Sequence, residues 1–223
     1  MVRTNQYTEF WVWGGVDASR IQPYSKRFYI LQGAITEPSR GSVFTRQGMQ
    51  AANEFGAVVL VYRLNTLTWN RKIHDTLLNH INAWEYRGNT VVGIQLDFDA
   101  RTKNLHQYAD FLRQVRQDLP SNYRLSITGL LDWANQGDPA SLQSLHGVVD
   151  EIIFQTYQGK HTIPNYPAYL KSLAKFHFPF KIGLVENGDW DSRYEDELSQ
   201  SHYYRGAVVF LLPNPPHTAD GIK

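Results

Sequence analysis

Val91-Val92-Gly93-Ile94-Gln95-Leu96-Asp97-Phe98-Asp99 reads as a β-strand that ends in two carboxylates. Successive side chains of a strand point to opposite faces. Val92, Ile94, Leu96 and Phe98 are therefore expected on one face, and all are apolar. Gln95, Asp97 and Asp99 are expected on the other. Such a strand suits a parallel α/β barrel, with its apolar side on helices and its polar end at the catalytic mouth. The structural alternative is a strand end whose Asp residues cap the next helix or accept from backbone N–H groups.

Working outward, the chain alternates strand with helix. Before the central strand come Phe10 to Val16, Arg27 to Gly33 and Ala57 to Leu64. After it come Tyr123 to Leu131, Val148 to Tyr157, Phe180 to Glu186 and Gly206 to Leu212. The run Ala57-Val58-Val59-Leu60-Val61 is apolar on both faces, as in a parallel sheet. Trp69 to Arg87 predicts a long amphipathic helix, with Ile73, Leu77, Ile81 and Trp84 at helical spacing and Gly88 as its stop. Leu105 to Leu119 predicts another, with Leu105, Tyr108, Leu112 and Val115 on one stripe. Helices are also expected over Thr45 to Phe55, from Asp138-Pro139, over Pro167 to Phe176 and over Ser192 to Tyr204. The first connection is short and holds Pro23, so a first helix is reduced. Eight strands in β-then-α order predict one compact (β/α)8 TIM-type barrel, α/β in class, over residues 1–223.

Composition narrows the chemistry. The 223 residues carry a net charge of +1 with no long charge run, which argues against nucleic acid as the partner. There is no cysteine, so disulfides, thiolate zinc sites and cysteine nucleophiles are excluded. No apolar run approaches the roughly 20 residues of a membrane span. No Gly-rich dinucleotide fingerprint or phosphate loop is present. The histidines are scattered and form no ligand pair, and no nucleophile-elbow sequence supports a Ser-His-Asp triad. No metal or cofactor is expected, and the chain is expected to be a monomer.

In a parallel barrel the strand C-termini converge on one face. That places Trp13, Gln32, Arg63, Asp97, Asp99, Asp132, Trp133, Gln155, Tyr157 and Glu186 together. Carboxylates, amides and indoles are what a carbohydrate site uses: polar groups bond hydroxyls, and rings stack on pyranose faces. Paired acids supply general-acid and base or nucleophile roles. Each residue has a plainer alternative. Arg63 pairs with Asp97 as structural glue, Gln155 satisfies backbone, Trp13 or Trp133 is core, Asp132 caps a turn, or Glu186 is a solvated loop acid.

Gly93 to Asp99 resembles the Asp-Gly-x-Asp-x-Asp-x-Glu fourth-strand motif of family 18 glycoside hydrolases, the chitinase-like barrels. On that register Gln95 replaces the second Asp, Asp97 keeps the third, and Asp99 stands where the catalytic Glu belongs. Gln155-Thr156-Tyr157 is similar to that family's sixth-strand segment, whose Tyr assists the substrate acetamide. A wider resemblance, over Tyr29 to Gly33, Val59 to Arg63, Gln95 to Asp99, Leu105 to Leu119 and Leu125 to Leu130, is to a bacterial domain of unknown function. Its members resemble secreted or lipid-anchored barrels. These resemblances imply a glycoside hydrolase-like barrel outside the cytoplasm that acts on a glycan, with Asp99 as acid and Asp97 orienting it. Gln32, Arg63, Asp132, Gln155, Tyr157 and Glu186 would bind substrate beside a Trp13 and Trp133 platform. Because Asp is shorter than Glu by about 1.5 Å, one C–C bond, a carbohydrate-binding barrel without catalysis, or a scaffold, is the alternative.

Overall fold

A computed structural model describes residues 1–39, 41–53, 55–99, 105–137 and 139–213. The strands are β1 (Glu9–Val12), β2 (Arg27–Thr36), β3 (Val43–Arg46), β4 (Ala57–Leu64), β5 (Thr90–Asp97), β6 (Arg124–Leu130), β7 (Glu151–Gln155), a hairpin of β8 (Tyr157–Gln158) and β9 (His161–Thr162), then β10 (Phe180–Val185) and β11 (Tyr204–Phe210). The helices are α1 (Arg71–Tyr86), α2 (Leu105–Asp118), α3 (Trp133–Gln136), α4 (Pro139–Gln143), α5 (Tyr166–Leu173) and α6 (Arg193–Leu198).

Eight parallel strands run in the order β1-β2-β4-β5-β6-β7-β10-β11, and β11 pairs with β1, so the barrel closes. Helices cover the outside. The helix α1 buries Ile73, Leu77, Ile81 and Trp84, the four positions its periodicity marks. Its N-cap is Asn70, whose side chain accepts from the Ile73 N–H at 3.0 Å. On α2, Leu105, Tyr108, Leu112 and Val115 are buried, with Ala109 and Phe111 beside them. A 3-10 turn, Gln22–Tyr24, replaces a helix between β1 and β2. The helix expected over Ser192 to Tyr204 shrinks to the six residues of α6, and Asp138 lies outside the described residues.

Two expectations are corrected here. The described residues of Thr45 to Phe55 are not helical. The antiparallel strand β3 ends at Arg46 and pairs Val43 to Arg46 with Thr36 back to Gly33. That pairing lies on the edge of β2 left open beyond the short β1, and it satisfies β2 backbone groups that would otherwise lack partners. Val92 is the second. It packs inside the barrel instead of outside, because the β4–β5 register steps from Val58↔Val91 to Val59↔Gly93 and leaves Val92 as the extra residue of a bulge. A bulge reverses the in–out phase of a strand. From Ile94 onward the expected phase holds, with Ile94 and Leu96 in the outer core and Gln95 and Asp97 inside. Gly93 permits the close approach of β6. A Cβ there would lie 2.0 Å from the Arg124 carbonyl oxygen.

The barrel interior is filled in layers. At the N-terminal ends of the strands, Lys181 is 3% exposed and donates to Glu9 at 2.6 Å and to the Tyr29 hydroxyl at 3.0 Å. It also lies 3.4 Å from Glu151. Arg27 and Arg124 approach the same two acids from the rim. Above this plug, the Trp11 indole N–H donates to Gln95 at 2.6 Å, and Gln95 reaches Ser126 at 3.4 Å. Trp11 fits because Gly183 faces it; a Cβ there would lie 2.7 Å from the indole. With the bottom and middle filled, open space remains at the C-terminal ends of the strands.

Candidate active-site cleft

The barrel mouth holds a cleft of about 880 Å³, within the size range of small-molecule sites. Seven of the ten residues expected there line it: Trp13, Arg63, Asp97, Asp99, Asp132, Gln155 and Tyr157. Strand pairing fixes the central group. Arg63 pairs in register with Asp97 across β4 and β5, and Gln155 sits beside Leu130 across β6 and β7.

Asp97 is the most constrained of the acids. Its side chain is 11% exposed and lies 3.8 Å from the Arg63 guanidinium, an ion-pair distance too long for a hydrogen bond. The Thr128 hydroxyl donates to its Oδ1 at 2.8 Å. Burial raises the Asp97 pKa above the ordinary carboxylate value. The Thr128 hydrogen bond opposes that rise, the neighbouring Asp99 charge adds to it, and Arg63 opposes it. Asp99, two residues beyond the strand, is exposed to the cleft.

Aromatic rings form the facing wall. Tyr157 stacks on Phe210, with centroids 5.5 Å apart and an interplanar angle of 22°. Trp13 meets Phe210 edge-on at 5.5 Å, and the Arg63 guanidinium lies over the Trp13 ring at 5.3 Å. Burial first, and the Asp97 charge second, hold the Tyr157 hydroxyl far above its usual pKa, so it remains a hydrogen-bond donor. Asp132 lies at the rim. The cleft thus offers apolar ring faces opposite a pair of carboxylates in unlike surroundings.

Three expected residues lie elsewhere: Gln32 and Glu186 turn to the outer side of the sheet, and Trp133, the first residue of α3, is buried in the outer core. Gln32 is fully buried between the sheet and α1, accepting from the Trp84 indole at 3.2 Å and donating to the Ile30 carbonyl. Strand β2 runs on to Thr36, so Gln32 is not at a strand end, and the β2–β4 register skips it as a bulge. Trp133 is a core residue at zero exposure, edge-on to Tyr108 and Phe154. Glu186 follows the inward Val185 and turns outward. It takes both Arg20 Nη groups at 2.6 and 2.8 Å and the Leu212 N–H at 2.9 Å, which ties the ends of two mouth loops together.

Several lining residues escaped the sequence. Phe210 shares the inward face of β11 with Val208, a period-two signal present in the sequence. Thr128, behind the cleft wall, lies on β6, and its hydroxyl meets Asp97 only because β6 pairs with β5. The β8–β9 hairpin brings Gln158 and Lys160 to the rim, and four paired residues carry too little pattern to be seen.

A family model described as a domain of unknown function, DUF3142, matches residues 56–170. The chain belongs to this family. That segment runs from β4 through most of α5 and includes Arg63, Asp97, Asp99, Gln155 and Tyr157. No curated protein sequence matches the chain. Among solved structures, the DUF3142 chain is similar in fold to the xylanase and α-amylase inhibitor protein XAIP-II from Scadoxus multiflorus. The two are 10% identical with a TM-score of 0.55, over 91% of this chain and 92% of that one. The related inhibitor XAIP-I, solved in complex with trehalose, superposes with a TM-score of 0.57 at 8% identity, over 91% of this chain and 92% of that one. Concanavalin B superposes at 0.52 with 12% identity, over 92% and 93%. At these identities the likeness is one of fold. The fold shared with them is a TIM-type barrel, and no helix among the described residues is long and apolar enough to cross a membrane.

Proposed function

We propose that the mouth of this DUF3142 barrel binds a glycan and cleaves a glycosidic bond by carboxylate acid–base chemistry. The observation that carries the reading is the pair Asp97 and Asp99 on one wall of an aromatic-lined cleft, one acid buried with its pKa raised and the other open to ligand. Divergent surroundings for two neighbouring carboxyls are how acid and base roles are separated. Asp99 has the access to protonate the leaving oxygen, and Asp97, held behind it by Thr128 and Arg63, orients it or the substrate. The Tyr157 hydroxyl and Gln155 amide bond the sugar, with an N-acetyl group as the favoured contact for Tyr157, while Trp13 supplies a stacking face. On this reading the protein acts outside the cytoplasm, which the resemblance to secreted or lipid-anchored barrels supports.

The second reading is a glycan-binding barrel without catalysis. The set-back carboxyl of Asp99, where the similar hydrolases carry Glu, favours it. Product release from labelled chitin-like, peptidoglycan-like and exopolysaccharide substrates, with affinity measured in parallel, separates the two. On the hydrolase reading Asp99→Asn loses on the order of 100- to 10,000-fold in turnover with little change in affinity, and Asp99→Glu stays active. Binding without cleavage by both the wild type and Asp99→Glu selects the binding reading.

A further inference from the structure

Arg63, Asp97 and Asp99 line a second cavity as well as the first. It is smaller, about 420 Å³, and its remaining wall includes Thr36, Gln47 and Asn65. Phe98 is its one aromatic residue. The row Ala34, Arg63, Asp97 pairs across β2, β4 and β5, so the two cavities are neighbours on the same rim, divided by the Arg63–Asp97 pair. Two local irregularities create the second cavity. The bulge at Gln32 turns Ala34 and Thr36 toward the mouth, and the β2–β3 hairpin delivers Gln47 beside them.

Its polar groups are unspent. Among the described residues, the side chains of Thr36, Gln47 and Asn65 make no hydrogen bond, and the Arg63 guanidinium makes only its 3.8 Å ion pair and its contact with Trp13. Amides, a hydroxyl and an open guanidinium around a small polar cavity suit the hydroxyl-rich rim of a sugar, whereas the aromatic cleft suits its ring faces.

Resting on the proposed glycan chemistry of the main cleft, we infer that this second cavity is a sugar subsite, and that the ligand is a linear glycan lying across the Arg63–Asp97 divide with units on both sides. A site open on both sides of the carboxylates takes an internal bond of a chain. Hydrolysis there would break the bond between the anomeric carbon and the glycosidic oxygen. Water supplies the hydroxyl to that carbon and its remaining proton to the carboxylate pair, and the departing oxygen gains the proton delivered by Asp99.

The test measures affinity for linear chito-, cello- and xylo-oligosaccharides from the disaccharide to the hexasaccharide by calorimetry, with product lengths recorded in parallel. The proteins are wild type, Gln47→Ala/Asn65→Ala, and Asn65→Trp, which fills the cavity from an exposed loop position. In at least one series, wild-type affinity should rise with length. The double variant should lose about three- to tenfold per amide for long oligomers and nothing for the disaccharide, and Asn65→Trp should abolish the gain. No binding, no gain with length in any series, or equal losses for short and long oligomers would overturn the subsite. A gain with length and no cleavage would leave the subsite and remove the hydrolase reading. Cleavage with product lengths unchanged in Asn65→Trp would do the reverse.

Discussion

The Thr128 hydroxyl donates to Asp97 across the β5–β6 pair at 2.8 Å. It is the hydrogen bond that steadies a carboxyl whose surroundings favour the protonated form. The folded pKa of Asp97 lies above its ordinary value of 3.8. The native state therefore binds more protons than the unfolded chain between those two values, and stability falls as pH rises through that window. Asp97→Asn keeps an acceptor for Thr128 and removes the buried charge. It should raise the melting temperature at pH 7, with the gain shrinking as pH falls through the raised folded pKa and gone below about 4, near the ordinary carboxylate pKa. Thermal unfolding across pH checks this; a variant less stable than wild type at pH 7 would contradict the sign.

Thr128→Val removes the influence that lowers the Asp97 pKa. The titration of Asp97, followed by carboxyl NMR, should move to higher pH. If turnover is measurable, the pH dependence assigned to Asp97 should move in the same direction.

Gln32 is structural, so its loss should not touch the ligand. Gln32→Ala leaves the buried Trp84 indole N–H without its acceptor and should cost about 1–3 kcal/mol of stability. Urea denaturation reads the loss, and glycan affinity should be unchanged.

Lys181 is enclosed by Glu9, Glu151 and Tyr29. Lys181→Met leaves the two floor acids only their longer rim contacts with Arg27 and Arg124 and should destabilise by about 3–5 kcal/mol. The triple change with Glu9→Gln and Glu151→Gln should recover part of that loss, because the uncompensated charges go with it. Equal losses in the single and triple variants would show that the charges are not the cause.

Gly93→Ala places a methyl 2.0 Å from the Arg124 carbonyl oxygen, a backbone atom that cannot rotate away. Overpacking of this kind costs about 1–3 kcal/mol or more. A larger fraction of insoluble protein and a lower urea midpoint are the expected results.

The sequence by itself determined the elements with strong period and length. The four buried positions of α1, the stripe of α2, the eight parallel strands and their order all follow from where apolar side chains recur. Recurrence also set Asp97 inside and Phe98 against α2, where it packs on Tyr108 at 5.1 Å. Tertiary structure alone decided what depends on phase and on partners distant in the chain. Single inserted residues at Gln32 and Val92 reverse a strand's faces, and no local pattern marks them, because a bulge is a mismatch between two strands. Trp133 and Glu186 read as site residues because indole and carboxyl suit a sugar. Which side of the wall each occupies was fixed by packing on Phe154 and by pairing with Arg20. Thr128 joins Asp97 only because β5 and β6 pair in one register, so the proton affinity of that carboxyl is a property of the closed barrel.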